Sequence, residues 1–167
     1  MKKLFLIILI TTISLFISCK TDNQNNIEDE IKGETKELSI FLVKLNDAGK
    51  SGEAIGCGDS LIEIKEKLDI AENPIKTALN KLFQIKGNYK NLGLYTALTN
   101  TNFKVESIEE KNNIAIVSIS GTYTISGVCE IPRIENQIKE TVLKNSNLKD
   151  LQILLNGKPM EEVFSLK

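Results

Sequence analysis

The stretch GVCEIPRIENQIKETVLKNSNLKDLQILLNGKPM, residues 127–160, decides the fold of this 167-residue chain. Pro132 suits the first turn of a helix, where a missing backbone N–H costs nothing. After it, an apolar side chain recurs every four positions, which is the spacing of one buried helix face. These side chains are Ile134, Ile138 and Val142. The pattern predicts an amphipathic helix that begins at Pro132.

The second half of the stretch predicts a strand that turns back. The polar run at 145–147 ends the helix, and residues 148–155 form an apolar, strand-like run. Asn156-Gly157 follows, and this dipeptide is a strong signal for a two-residue hairpin turn because both residues tolerate positive φ. We therefore expect a last strand at 148–155 and a short return strand near 163–166.

Five more elements are predicted upstream of this stretch. They are strands at 37–45 and 60–68, a helix from Asn73-Pro74 to about residue 86, and a hairpin of strands 103–109 and 114–120 joined at Asn112-Asn113. The order β-β-α-β-β-α-β predicts an α+β fold. We expect a single mixed β-sheet of about five strands with two helices packed on one face.

The N-terminus predicts export and a lipid anchor. Lys2 and Lys3 precede an apolar run that ends at residue 17, which is typical of a secretory signal peptide over residues 1–18. A membrane-spanning helix needs about 20 apolar residues, so this run is too short to span. Ser18-Cys19 after the run resembles a bacterial lipobox, in which the cysteine becomes diacylated. Cys19 is therefore the predicted lipidation site, with an ordinary thiol as the alternative.

Residues 19–36 predict a lipidated cysteine followed by a flexible polar tether. Their side chains are mostly polar or charged, and they bury too little surface to fold alone. The remaining residues, 37–167, are enough for one globular domain. Acyl chains on Cys19 would hold this domain on the extracytoplasmic face of the cell membrane or of an outer membrane.

The composition excludes several classes of protein. The chain has 21 Lys and Arg against 22 Asp and Glu, without a basic block, which argues against binding to nucleic acid. It has no histidine, so serine–histidine and cysteine–histidine catalysis and histidine-ligated zinc are excluded. No pair of carboxylates stands out in the sequence. We expect no catalytic residues, no metal site and no cofactor.

Cys57 and Cys129 are the two cysteines that remain once Cys19 is lipidated. Two thiols exported to an oxidising compartment tend to pair, so we predict a disulfide between them. A redox-active or nucleophilic thiol is the less favoured alternative, because the chain has neither a histidine nor C-x-x-C spacing. If their Cβ atoms are far apart, both are ordinary small apolar residues.

Arg133, Gln137 and Thr141 recur at i, i+4 and i+8 and predict a polar stripe beside the apolar stripe of the second helix. We expect this stripe at the boundary of the core. Arg133 is the only arginine of the chain, and its planar guanidinium suits bidentate contact with a carboxylate such as Asp59 or Glu130. An internal clamp between helix and loop is favoured over a contact with a ligand.

Four segments together resemble the GerMN domain, which occurs in sporulation and germination proteins and in bacterial lipoproteins. The resemblance rests on an ordered set of features: a cysteine, an acidic residue, a proline and an arginine, then Gln and Thr at helical spacing, then an NGK turn. It implies an α/β domain akin to the ring-building motifs of envelope assemblies, used for protein–protein association and without established catalytic activity. The segments are 56–65, 73–83, 92–98 and 127–160.

We expect, in sum, a non-enzymatic lipoprotein whose domain associates with another envelope protein or with itself. The alternative is binding of a small ligand or a peptidoglycan fragment. Such a ligand would use the loops near Tyr89 and Tyr95 and the start of the helix at Arg133, where a cation and a helix N-terminus would receive an anion. An unrecognised hydrolase or redox protein is a third, less favoured interpretation.

Overall fold

The structure is a computed structural model that describes residues 34–70 and 72–165. The predicted signal peptide, Cys19 and the tether up to residue 33 lie outside the described residues. The strands are β1 Glu34–Lys44, β2 Glu53–Ala54, β3 Ser60–Ile70, β4 Asn88–Tyr89, β5 Leu94–Tyr95, β6 Thr101–Lys111, β7 Ile114–Tyr123, β8 Asp150–Leu155 and β9 Lys158–Pro159. The helices are α1 Pro74–Gln84, α2 Glu130–Lys144 and α3 Met160–Phe164, with a short 3₁₀ helix at Ala97–Asn100.

The α+β class is confirmed, but the described strands form two sheets and not one. The first sheet is antiparallel, in the order β2-β3-β1-β5-β4. The second has the order β6-β7-β8-β9, and only its β7–β8 pair is parallel. β1 pairs with β3 along its whole length but meets β5 only at Val43 and Tyr95. The single-sheet prediction was wrong because periodicity shows which residues form strands and not which strands pair.

The helices α1 and α2 contact both sheets and join them through one core. α1 contacts β1 and β6, and α2 contacts β1 and β8. α1 begins as predicted: the Asn73 side chain accepts hydrogen bonds from the N–H groups of Ile75 and Lys76, and Pro74 occupies the first turn. The apolar stripe of α2, predicted from its spacing, is fully buried.

The turns follow the predicted chemistry, with one difference at the C-terminus. Asn112 and Asn113 both have positive φ and join β6 to β7. Asn156 and Gly157 also have positive φ, but the return strand is β9 and does not start at Val163 as predicted. Residues 160–164 form α3 instead. The difference arises because Met160 and Phe164, four positions apart, lie on one buried face of a helical turn.

The first strand starts earlier than predicted. β1 begins at Glu34, so residues 34–36 of the predicted tether are paired with Leu68, Asp69 and Ile70 of β3. Their side chains are exposed, which explains why their composition resembles a linker. Within the described residues, no helix is long and apolar enough to span a membrane.

Candidate functional site

One end of the domain collects most of the residues that the sequence marks as functional. β1 runs toward this end, and α2 begins there and runs back along β1. The loops 45–59 and 124–129 meet at the disulfide between Cys57 and Cys129, whose Cα atoms are 5.8 Å apart. The β4–β5 hairpin meets β1 at Tyr95 and Val43. We call the two loops joined by the disulfide the disulfide end.

Arg133 and Asp59 form a buried ion pair at this end. Both Nε and one terminal nitrogen of the guanidinium lie 2.6 Å from the same oxygen, Oδ2 of Asp59. The other oxygen, Oδ1, accepts the backbone N–H of Asn46 at 2.9 Å. Asp59 is only 1% exposed. The guanidinium therefore clamps the loop to α2, and its charge is already matched by a carboxylate.

Gln137 and Thr141 connect α2 to the backbone of β1. The Gln137 amide donates to the carbonyl of Phe41 at 2.8 Å and accepts the N–H of Ala97 at 2.9 Å. The Thr141 hydroxyl accepts the N–H of Phe41 at 3.2 Å. Both side chains are 0% exposed, so the prediction that they lie at the boundary of the core was wrong. They are buried because they satisfy backbone groups that β1 has no strand to pair with.

Asn145 completes the row, and sequence reasoning assigned it only to the end of the helix. Its amide oxygen accepts the N–H of Ser39 at 3.0 Å, and its amide nitrogen donates to the carbonyl of Ser39 at 2.6 Å. The signal that would have found it is its spacing, four residues after Thr141. We call Gln137, Thr141 and Asn145 the polar row.

Glu130 does not contact Arg133 through a hydrogen bond or an ion pair in the described part. Its Oε2 accepts the N–H of Ser126 at 2.7 Å, and its Oε1 lies 3.4 Å from the Tyr95 hydroxyl. Burial raises the pKa of Tyr95, and the nearby charge of Glu130 adds to that effect. Glu130 therefore holds the loop that leads into α2 in place, and the disulfide holds Cys129, the residue before Glu130.

A second buried carboxylate was missed by sequence reasoning. Asp47 accepts hydrogen bonds from the hydroxyl of Ser60 and from the N–H of Ser51, both at 2.7 Å. The bond from Ser60 is the main cause that lowers the pKa of Asp47 far below its ordinary value. An aspartate that binds backbone groups a few residues on is a common turn device. The spacing Asp47 to Ser51 in a Gly-containing loop was the available signal.

The aromatic residues proposed for ligand binding already have internal partners. Tyr89 is buried and donates its hydroxyl to the carboxylate of Glu66, which also pairs with Lys90. The bond from Lys90 is the main cause that lowers the pKa of Glu66, and Tyr89 contributes. These contacts attach the β4–β5 hairpin to β3. With Arg133 also paired, the groups proposed for an anionic ligand are engaged within the domain.

The disulfide end is also where apolar side chains face solvent. Among the described residues, the large apolar side chains with the highest exposure are Leu45 at 42%, Leu92 at 60% and Val128 at 63%. Leu45 and Val128 lie in the two loops that define the disulfide end, and Leu92 lies on the turn between β4 and β5. The buried polar side chains, unlike these exposed apolar ones, are all satisfied: every buried side-chain nitrogen and oxygen of the described part has a hydrogen-bond partner. No group of His, Cys, Asp or Glu in the described part is arranged to hold a metal ion.

Comparisons with known proteins show the fold. No protein-family model and no curated protein sequence matches the chain. Among solved structures, the fold is similar to the tandem GerMN domains of the sporulation protein GerM from Bacillus subtilis, with a TM-score of 0.54 and 18% sequence identity. The similarity covers 74% of this chain and 40% of that one, so the chain matches less than half of the tandem structure. The fold is GerMN-like.

Proposed function

We propose that this protein is a lipid-anchored lipoprotein of the extracytoplasmic face whose GerMN-like domain mediates protein–protein association in the cell envelope. The observation that carries the proposal is the exposure of Leu45 and Val128 on the two loops that the disulfide joins, with Leu92 exposed on the β4–β5 turn. Single exposed apolar residues are ordinary, but apolar residues on loops held together at one end of a domain favour an interaction site. The partner is another envelope protein or a second copy of this chain.

The rigidity of the disulfide end supports this proposal. The disulfide joins its two loops, and the Arg133–Asp59 pair links one of these loops to α2. A surface that is ordered before binding loses less conformational entropy on association. The polar groups here are used to hold the loops in place, and the apolar side chains are left on the outside.

The position of the disulfide end also suits a membrane-anchored protein. The chain enters the described domain at Glu34, and β1 runs 11 residues from there to the disulfide end. At about 3.3 Å per residue, this is roughly 33 Å. An anchor N-terminal to Glu34 would therefore be joined to the end of β1 opposite the disulfide end.

Cross-linking in cells tests the association. The full-length tagged protein is expressed in its own host, cross-linked and captured, and the captured proteins and its oligomers are identified. The variant Leu45→Ser/Leu92→Ser/Val128→Ser should lose the specific partner or oligomer seen with the wild type while folding normally. The variant Lys67→Ser/Glu109→Ser is the control, because both residues are exposed and lie toward the opposite end.

Two outcomes contradict the proposal. One is that the wild type captures no specific protein and forms no oligomer although it is folded and present at the membrane. The other is that the triple variant and the control capture the same partner equally well. Turnover of a cell-wall substrate by the purified protein would replace the proposal with an enzymatic one.

Anchoring is tested separately at Cys19. Cys19→Ala should abolish incorporation of labelled fatty acid and release the protein from the membrane fraction, whereas Cys19→Ala should not change the thermal unfolding of the domain. Unchanged labelling would show that the acyl chain is not on Cys19.

A further inference from the structure

A groove lies between α2, α3 and the outer edge of β8. Its volume is about 420 Å³, and its floor is apolar, with Leu143 from α2, Leu151 and Ile153 from β8, and Met160 from α3. None of these residues belongs to the disulfide end. The groove is therefore a second surface, formed by the opposite sheet.

The backbone of β8 is open to this groove. β9 pairs only with Leu154 and Leu155, so the outer edge of β8 before them has no neighbouring strand in the described part. Asn156, which follows β8 directly, points its backbone N–H toward β7 and donates it to the carbonyl of Ile119 at 2.8 Å. Backbone groups of successive strand residues point to opposite sides, so every second residue before Asn156 also points toward β7. Leu151 and Ile153 belong to the other set, and their backbone groups point away from β7 and into the groove.

The rim of the groove is acidic where α2 meets α3. Glu135 of α2 and Glu161 of α3 both line it, and neither forms an ion pair within the described residues. Burial raises the pKa of Glu135, and the charge of Glu161 adds to this effect. Lys139, one turn further along α2, and Lys149 also line the groove, but neither forms an ion pair with these two carboxylates in the described residues. Two neighbouring carboxylates without a paired cation would be stabilised by a positive group.

We propose that this groove binds an extended segment of a partner protein, which adds as a strand beside β8 and places a lysine or arginine side chain between Glu135 and Glu161. In this binding mode, main-chain hydrogen bonds supply affinity and alternate side chains supply specificity. Here the open backbone groups of Leu151 and Ile153 supply the main-chain hydrogen bonds, and the acidic rim supplies the specificity for a cationic side chain. The apolar floor favours β-branched residues two positions before and after the cation, because alternate side chains of a strand share one face.

The other free edge of the same sheet argues for a separate partner and against a second copy. β6 is the edge strand there, but its pairing with β7 is interrupted between Val105 and Ser107. It also carries charged side chains along its exposed face, including Lys104 and Glu106. A bulge and charges on an edge strand are devices that prevent pairing between copies.

A displayed library of random nine-residue peptides tests the proposal on the full chain, extracted from the membrane in detergent. Selection should enrich peptides with Lys or Arg between β-branched residues. The best peptide, made synthetically, should shift the amide NMR signals of Leu151 and Ile153. Its affinity should fall about tenfold for Glu135→Gln/Glu161→Gln, and at least as much when a proline replaces a residue next to the cation. Glu140→Gln/Glu162→Gln is the matched control, with the same changes on the same helices outside the groove, and should bind normally.

Three results would overturn the proposal. Selection that enriches no sequence, or an acidic one, contradicts the role of the rim. Shifts at the disulfide end in place of Leu151 and Ile153 contradict the site. A dimer in sedimentation that Leu151→Lys dissolves shows that a second copy occupies the groove. Peptide binding by the variant altered at Leu45, Leu92 and Val128 should be normal, so this inference and the proposed function can fail independently.

Discussion

Helix α2 contacts strands of both sheets, but it affects the two strands differently. On β1, the polar row bonds to the backbone of Ser39 and Phe41. On β8, the described structure shows no side-chain hydrogen bond from α2 to the backbone, and Leu151 and Ile153 remain open. The uncharged polar side chains of the polar row bond to a neighbouring backbone, whereas the charged side chains of Glu135 and Lys139 line the groove.

The comparison shows how a domain can have one protected edge and one open edge. An exposed strand edge is a template for pairing with another chain, and proteins usually block it with charges, bulges or covering elements. Here α2 covers the free edge of β1 with the polar row, whose three residues are spaced four positions apart. β8, in contrast, keeps a free edge before Leu154 although α2 contacts it.

Loss of the ion pair beside the polar row should have the largest effect. Arg133→Met leaves Asp59 buried without its cation, which costs about 3–5 kcal/mol of unfolding free energy in comparable cases. Urea unfolding followed by circular dichroism measures this loss. Asp59→Asn in the same chain should restore part of the stability, because no charge then remains buried. Lys139→Met, an exposed change on the same helix, should stay within about 0.5 kcal/mol of the wild type.

Loss of the middle of the polar row should have the next largest effect. Gln137→Leu leaves the carbonyl of Phe41 and the N–H of Ala97 without partners, and each buried group left unsatisfied costs about 1–3 kcal/mol. We expect a loss of roughly 2–4 kcal/mol in urea unfolding. Gln84→Leu is the same chemical change at an exposed position of α1 and should have little effect. Equal losses for the two variants would contradict the role of the polar row.

Asn145→Ala should open the protected edge of β1 without unfolding the domain. The expected loss is about 1–2 kcal/mol, because Asn145 is partly exposed and water can replace part of its two bonds to Ser39. Hydrogen exchange is the sharper measurement. In the wild type, the amide of Ser39 should exchange slowly and those of Leu151 and Ile153 quickly. In the variant, the exchange rate of the Ser39 amide should rise toward the rates of Leu151 and Ile153. Asn147→Ala, at an exposed neighbouring position, should change none of these rates.

Most elements of the fold could be predicted from the sequence because their signals are local. The cap at Asn73, the apolar face of α2 and the positive-φ pair Asn112-Asn113 each act within a few residues. The division into two sheets could not be predicted, because it depends on pairing between distant strands. α3 was missed because a five-residue helix offers only two buried apolar positions, too few to establish a helical period.

The candidate site shows the same limit. The spacing of Arg133, Gln137 and Thr141 correctly placed them on one helix face, and the charge of Asp59 marked it as a partner for Arg133. Their burial could not be predicted, because it depends on the unpaired edge of β1 on the other side of the contact. Asp47 was overlooked since a lone aspartate in a loop has many ordinary explanations.

The smallest predicted effect concerns the open edge, and its dependence on pH identifies the cause. The pKa of Glu135 is raised in the folded state, so its protonated form is favoured there. This contribution is fully present below the pKa of the unfolded chain, about 4.3, and is lost as the pH rises through the folded value. Glu135→Gln should therefore stabilise the protein near neutral pH, by about 0.5 kcal/mol or less for a partly exposed group, and should have no effect near pH 3. Urea unfolding at both pH values, with Glu140→Gln as the control, measures the difference. A loss of stability at neutral pH would mean that Lys139 or Lys149 already places a cation beside Glu135. In that case the rim of the groove would not need a cation from a partner, which contradicts the proposed role of the rim.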